Sequence, residues 1–258
     1  MRHAIPWLGL LLLAISFVWF IQLSTPPPPP IVEEKSATHA TPHLLVVLDP
    51  GHGGQDSGAM SGTLLEKDLT LDVAVRAELL LHAAGFSTTL TRDHDRYVSL
   101  TERASVGNRE DNSLFVSIHF NDNKRETTSG IETYYALRQS AAPPGLFSWL
   151  PFLQRRDVAP LTAKSESLAR SIQAALVERT KAVNRGTKPE QFFVIANLRH
   201  PAALIEGGFL NNKSDVTKLA TTEYRQEIAA AICEGVYRYQ KGSEGNKPML
   251  GLAAAQSE

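Results

Sequence analysis

A single cysteine among 258 residues leaves no partner for a disulfide within the chain. The fold must therefore rest on an apolar core rather than on cross-links. Cys233 lies in the apolar helical stretch Ala229-Ala230-Ala231-Ile232-Cys233 and reads as a small hydrophobe rather than a reactive thiol. A clustered basic face is lacking as well. The 26 Lys and Arg are balanced by 27 Asp and Glu, a net charge of -1, whereas nucleic-acid binding calls for concentrated positive charge, so nucleic acid is not the partner. No Ser-x-x-Lys occurs anywhere, which argues against a serine acyl-enzyme. The length suits one full-sized domain with appendages.

The appendages come first. Met1-Arg2-His3 precedes an apolar run from Ala4 to Leu23, interrupted only by Pro6, Gly9, Ser16 and Gln22. At ~1.5 Å per residue, about 20 helical residues cover a ~30 Å bilayer core. Residues 1–25 are therefore expected to be a signal anchor or signal peptide. The anchor is favoured because the run exceeds the usual apolar length of a cleaved signal and no clean small-residue cleavage site follows. Arg2 on the inner side and Glu33-Glu34 beyond the run put the remainder outside the cytoplasm. This predicts a periplasmic or other extracytoplasmic protein held at the inner membrane, with secretion after cleavage as the alternative. Pro26 to Pro30 form a stiff polyproline stalk, and residues 26–43 as a whole read as a linker.

The folded domain is expected over 44–241. Leu44 to Leu48 reads as a buried strand, Glu66 to Ala84 as a helix ended by Gly85, and Phe86 to Leu90 as a strand. Ser99-Leu100-Thr101-Glu102 has the form of a capping box, opening a helix from Leu100 to Glu110. Strands follow at Leu114 to His119 and Ile131 to Leu137, then a helix from Ser165 to Val183 closed by Asn184-Arg185-Gly186. Phe192 to Ile195 and Ala202 to Glu206 are expected as strands, Lys213 to Ala220 and Glu223 to Tyr239 as helices, and 242–258 as a loose tail. The fold class is α/β, a single domain with a twisted, mostly parallel mixed sheet of about six strands flanked by helices, preceded by the N-terminal transmembrane or signal helix.

Four ionisable residues stand out within this frame. His52 lies in Asp49-Pro50-Gly51-His52-Gly53-Gly54 at the end of the first strand, where glycines leave room around the imidazole. His119 ends the apolar run Leu114-Phe115-Val116-Ser117-Ile118 and leads into the polar turn Asn121-Asp122-Asn123. Glu206 follows Ala202-Ala203-Leu204-Ile205 and precedes Gly207-Gly208. Ligands of open α/β sheets collect beyond the carboxyl ends of the strands, and all three residues sit at such an end. Glu66 opens the helix after the glycine loop. Two imidazoles and a carboxylate are a ligand set that zinc accepts, and three protein ligands leave a position open for water or substrate. Each residue also has a plainer reading, as a satisfied polar group or, for Glu66, as a charge favoured at a helix N-terminus.

At these residues the chain resembles the zinc-dependent N-acetylmuramoyl-L-alanine amidases of the cell-separation and sporulation type. The resemblance runs through Leu48 to Gly54, Glu66 to Leu71, Ser117 to Asn121 with Gly130-Ile131-Glu132-Thr133-Tyr134-Tyr135, and Pro201 to Asn211, spanning about Leu44 to Gln240. It implies that His52, Glu66 and His119 are ligands of Zn2+ and that Glu206 is the catalytic carboxylate. The reaction would be hydrolysis of the amide between N-acetylmuramic acid and L-alanine of peptidoglycan, by a zinc-bound water and a glutamate base, in cell-wall remodelling and cell separation. The competing readings are a zinc peptidase or carboxypeptidase acting on the stem peptide and a non-catalytic wall-binding scaffold. Arg92, Arg103 and Asn108 could touch a carboxylated glycan peptide, but are expected to serve surface ion pairs or helix-end hydrogen bonds. Asn121 would orient a ligand or the substrate, or cap its own turn, and no substrate-binding residue is assigned. Residues 139–164 read as an apolar, proline-broken insertion, either a docking surface for an activator protein or the membrane, or an ordinary long loop. Some relatives plug the metal site with a carboxylate from an insertion near this position; Asp157 is the only acidic residue here before Glu166.

Overall fold

The computed structural model describes residues 44–123, 125–139 and 159–245. The expected N-terminal helix, the proline stalk, most of the 139–164 insertion and the end of the tail lie outside the described residues. No helix among the described residues is long and apolar enough to cross a membrane.

The strand β1 (Leu45–Pro50) leads into the glycine loop and a two-stranded ribbon, β2 (Met60–Ser61) and β3 (Leu64–Leu65). Helix α1 (Glu66–Ala83), β4 (Ser87–Leu90), α2 (Leu100–Gly107), β5 (Ser113–Asn121) and β6 (Ile131–Tyr135) follow. The chain then forms α3 (Ala159–Thr180), β7 (Asn184–Pro189), α4 (Phe193–Ala196), β8 (Ala202–Phe209), α5 (Lys213–Leu219) and α6 (Thr222–Gly245). Six strands make one sheet in the order β4-β1-β5-β8-β6-β7. Every pair is parallel except β6 with β8, so the mixed, mostly parallel sheet agrees with the sequence reading.

Alternation along the central strands divides the core. Val46, Leu48, Val116, Ile118, Ala203 and Ile205 face one way and are packed by α1, α3 and α6 through Val73, Leu81, Ile172, Leu176, Ile228 and Ile232. Val47, Phe115, Ala202 and Leu204 face the other way, under Ala104 of α2 and Val194 and Ile195 of α4. The first face carries three long helices. The second carries two short ones, and beyond them the row of residues Asp49, Ser117, His119, Glu206 and Glu132 continues the same alternation toward the carboxyl edge.

Four expectations are corrected. Asn184-Arg185-Gly186 does not simply end a helix but starts β7, the sheet's edge strand against β6. Its sequence, Asn-Arg-Gly-Thr-Lys-Pro, has no apolar residue to signal a strand, because an edge strand faces solvent and tolerates charge and proline. Phe192 to Ile195, expected as a strand, is the turn of helix α4; four apolar residues are too few for periodicity to separate the two forms. Val194 and Ile195 are buried there, while Phe192 and Phe193 stay exposed. Helix α6 continues to Gly245, beyond the expected end at Tyr239, and α3 begins at Ala159, so the last residues of the expected insertion are helical. Cys233 is partly buried against the core.

Candidate metal centre and active site

His52 leaves β1 in the left-handed region, with φ 59, an uncommon conformation for a residue other than glycine. A framework of buried arginines holds it there. Arg103 donates through Nη1 to Asp49 Oδ1 at 2.8 Å and to the Pro50 carbonyl at 2.6 Å, and through Nη2 to the His52 carbonyl at 2.6 Å. Arg92 donates to the carbonyls of Pro50 at 3.1 Å, Gly51 at 2.8 Å and Lys67 at 2.7 Å. The Asp49 carboxylate also accepts from Thr91 at 2.6 Å and Ser117 at 2.7 Å. Expected in surface ion pairs or helix-end hydrogen bonds, Arg92 and Arg103 are instead 1% and 4% exposed. They turn the carbonyls of the Asp49-to-His52 loop inward, so its backbone polar groups are satisfied where no strand partner exists. Asn108 does serve a helix end, donating to the Asn197 carbonyl at 2.8 Å.

Glu66 reaches the loop from the first residue of α1. Its Oε2 accepts from the Ala59 amide at 2.8 Å and its Oε1 from the Phe120 amide at 3.0 Å, which fixes the carboxylate plane. Onto the same Oε1 converge Nε2 of His52 at 3.1 Å and Nδ1 of His119 at 2.9 Å. The two rings meet edge-on, with centroids 4.9 Å apart. One ligand atom from each of His52, Glu66 and His119 lies within 4.8 Å of the others, the separation a single ion needs. Burial alone would raise the Glu66 pKa, but hydrogen bonds from His119 and His52 outweigh it and hold the group ionised far below the usual carboxylate range. Burial would lower that of His52, and the carboxylates of Glu66 and Asp56 reverse this. Asp56, absent from the sequence reading, meets Nδ1 of His52 at 2.9 Å, which leaves Nε2 to face the shared centre. Its place four residues after His52, in the same polar loop, was the available signal.

Glu206 lies directly opposite His119 in the parallel β5–β8 pair and opposite Glu132 in the antiparallel β8–β6 pair. Paired residues point to one face of a sheet, so the three side chains form a row. Glu206 Oε2 is buried and has no hydrogen-bond partner among the described residues. Burial, and then the charges of Glu66 and Glu132, push its pKa well above the ordinary 4.5. Such a carboxylate is a strong proton acceptor beside the ligand cluster. Asn121 neither caps its turn nor reaches the cluster; it donates to Glu132 at 3.0 Å.

The donor set fits a divalent ion in its chemistry and in its convergence. The N-acetylmuramoyl-L-alanine amidase family model matches residues 46–238. The chain belongs to that amidase family. Its relatives include the N-acetylmuramoyl-L-alanine amidase LytC of Bacillus subtilis, 35% identical over 196 residues, which are 76% of this chain and 35% of LytC. The chain thus spans about a third of that relative's length. Among solved structures, an N-acetylmuramoyl-L-alanine amidase from Clostridium difficile 630 is 32% identical with a TM-score of 0.66, over 77% of this chain and 97% of that one. The CwlD amidase of Clostridioides difficile, solved with the GerS lipoprotein, is 26% identical with a TM-score of 0.65, over 77% and 98% respectively. The fold is that of these amidases.

Proposed function

We propose that the chain hydrolyses the amide joining N-acetylmuramic acid to L-alanine in peptidoglycan, with His52, Glu66 and His119 holding zinc and Glu206 as general base. The observation that carries this reading is the convergence of two imidazoles on one fixed carboxylate, with Oε2 of Glu206, which has no hydrogen-bond partner among the described residues, in the same row as His119. When bound, zinc supplies a Lewis acid for the scissile carbonyl and lowers the pKa of its water to about 7. Glu206 accepts the proton of the attacking water and delivers it to the departing nitrogen, so that L-alanine leaves as an amine. The raised proton affinity of Glu206 suits both halves of that transfer. Asp56 keeps Nε2 of His52 directed inward, and the Arg92 and Arg103 framework keeps the loop in place.

The experiment is mass spectrometry of peptidoglycan digested by the zinc-loaded protein. Free stem peptides beginning with L-alanine are expected; shortened stems would make the protein a peptidase, and intact material a scaffold. Glu206→Ala should abolish turnover with zinc retained, and His119→Ala should lose both. Near-normal hydrolysis by Glu206→Ala would refute its role as base.

For the whole chain, the reading extends to residues 1–25 as the membrane anchor, 26–43 as its stalk, and an activator or membrane contact through 139–164. The lipoprotein bound to CwlD supports the kind of partner. The mass of the protein extracted from membranes tests the anchor, since a chain starting beyond residue 16 would remove it.

A further inference from the structure

The row that holds His119 and Glu206 does not stop at Glu206. Glu132, its neighbour on β6, is 3% exposed, and four donors occupy it. Asn121 Nδ2 at 3.0 Å and the Tyr134 hydroxyl at 2.6 Å take Oε1, while Arg185 Nε at 2.9 Å and Lys188 Nζ at 2.5 Å take Oε2. A buried carboxylate needs one cation for neutrality. This one has two, both delivered by the edge strand β7, so Glu132 does not by itself neutralise them. The Arg185 and Lys188 side chains are 30% and 40% exposed, open to a solute although their charged ends are fixed. Arg185 uses only Nε on Glu132, and among the described residues neither of its Nη groups makes a side-chain hydrogen bond. Its guanidinium plane is steadied by the Phe209 ring, 5.1 Å away.

Building on the amidase reading, we propose that Arg185 and Lys188 form an anion subsite for a carboxylate of the stem peptide, with Glu132 as the residue that positions both. The dimensions agree. β7 lies two strands from β8, about 10 Å at ~4.8 Å per strand. Two residues of extended peptide beyond the scissile amide reach roughly 7 Å, and the side chains close the remainder. The group that arrives there is the free α-carboxylate of the stem's second residue when that residue is an isoglutamate. Guanidinium and ammonium donors bind a carboxylate through charge-assisted hydrogen bonds that a neutral amide cannot match. The protein would therefore discriminate between stems left acidic and stems amidated at that position.

The test is binding, independent of turnover. The metal-free protein is titrated by calorimetry with the γ-methylamide of N-acetylmuramoyl-L-alanyl-D-isoglutamate, in which only the α-carboxylate of that residue is free, and with its isoglutamine counterpart, which has none. The acid should bind about tenfold more tightly, with the preference shrinking as salt rises. Arg185→Gln and Lys188→Met should each bring the ratio toward one, and the charge-keeping pair Arg185→Lys with Lys188→Arg, which leaves Glu132 neutralised, should retain most of it. If Arg185→Gln does not fold, Lys188→Met alone decides. Equal affinity of the unaltered protein for the two ligands, no measurable binding of either, or a preference intact in the variants overturns the subsite. Peptidoglycan digestion by the zinc-loaded protein is read separately: amide cleavage without discrimination sinks the subsite alone, and discrimination without amide cleavage sinks the amidase reading.

Discussion

Arg103 and Asp49 form a buried ion pair at 2.8 Å beneath the loop that carries His52. The guanidinium also donates to the carbonyls of Pro50 and His52, so the pair joins α2, β1 and the loop in one network. Removing one partner of a buried pair leaves the other charge uncompensated. Arg103→Met is therefore expected to cost about 3–5 kcal/mol of stability, measured by urea unfolding of the metal-free protein. Arg103→Lys should recover only part of this, because an ammonium cannot span both carbonyls and the carboxylate in the guanidinium's fork. A loss within about 0.5 kcal/mol, typical of a surface substitution, would show that the network is dispensable.

Asp56 acts on the metal centre through His52. Its contact with Nδ1 at 2.9 Å selects the ring orientation that presents Nε2, and such partners are worth roughly 10–100-fold in metal affinity. Asp56→Ala should weaken zinc binding by that factor in competition with a chromophoric chelator, with little change in the melting of the metal-free protein. Unchanged affinity would mean that the loop alone orients the ring.

How much of this was legible in the sequence depends on where each residue's signal lies. His52, His119 and Glu206 each interrupt an apolar run at its junction with glycine or a polar turn, so strand and site announce themselves together. Glu66 was legible as the first residue of a helix. Arg92 and Arg103 were not, because a charged residue in a polar stretch reads as exposed. Only the tertiary fold shows that the carbonyls of Pro50, Gly51 and His52 turn inward and need donors. Glu132 was hidden for a similar reason: Ile131-Glu132-Thr133-Tyr134 alternates correctly, but its partners Arg185 and Lys188 sit on a strand with no apolar pattern, more than fifty residues on. The α4 error came from the reverse situation, an apolar run too short to carry a period.

Gly51 sets the position of His119. A Cβ at Gly51 would lie 2.3 Å from Cε1 and 2.5 Å from Nε2 of that ring, so Gly51→Ala must displace the imidazole. Zinc affinity should fall at least tenfold, while overpacking costs the fold about 1–3 kcal/mol. Gly62→Ala is the control. Among the described residues nothing lies within 4 Å of its added methyl, but φ is +61, so it should cost stability through backbone strain and leave zinc affinity unaltered. Equal zinc affinity in the two variants would show that the ring has room to move without loss.

Glu206 provides the sharpest test, because its two properties oppose each other. The same burial and neighbouring charges of Glu66 and Glu132 that raise its proton affinity make its ionised form a liability to the fold. The sign follows from proton counting. A carboxyl with a raised native pKa keeps a proton that the unfolded chain has released, so stability is greatest below the unfolded value near 4.5 and declines as pH rises through the native pKa. Glu206→Gln removes that titration. The metal-free variant should match the parent near pH 4 and exceed it at neutral and alkaline pH by about 1–3 kcal/mol, the cost of a buried group left unsatisfied. Bound zinc should shrink the gap, since nearby positive charge favours the carboxylate, while turnover is lost for want of a base. Thermal unfolding across pH, with and without zinc, reads all of this. Superimposable parent and variant curves in the metal-free series would mean that Oε2 finds a partner in solution, and Glu206 would lose its claim to be the poised base.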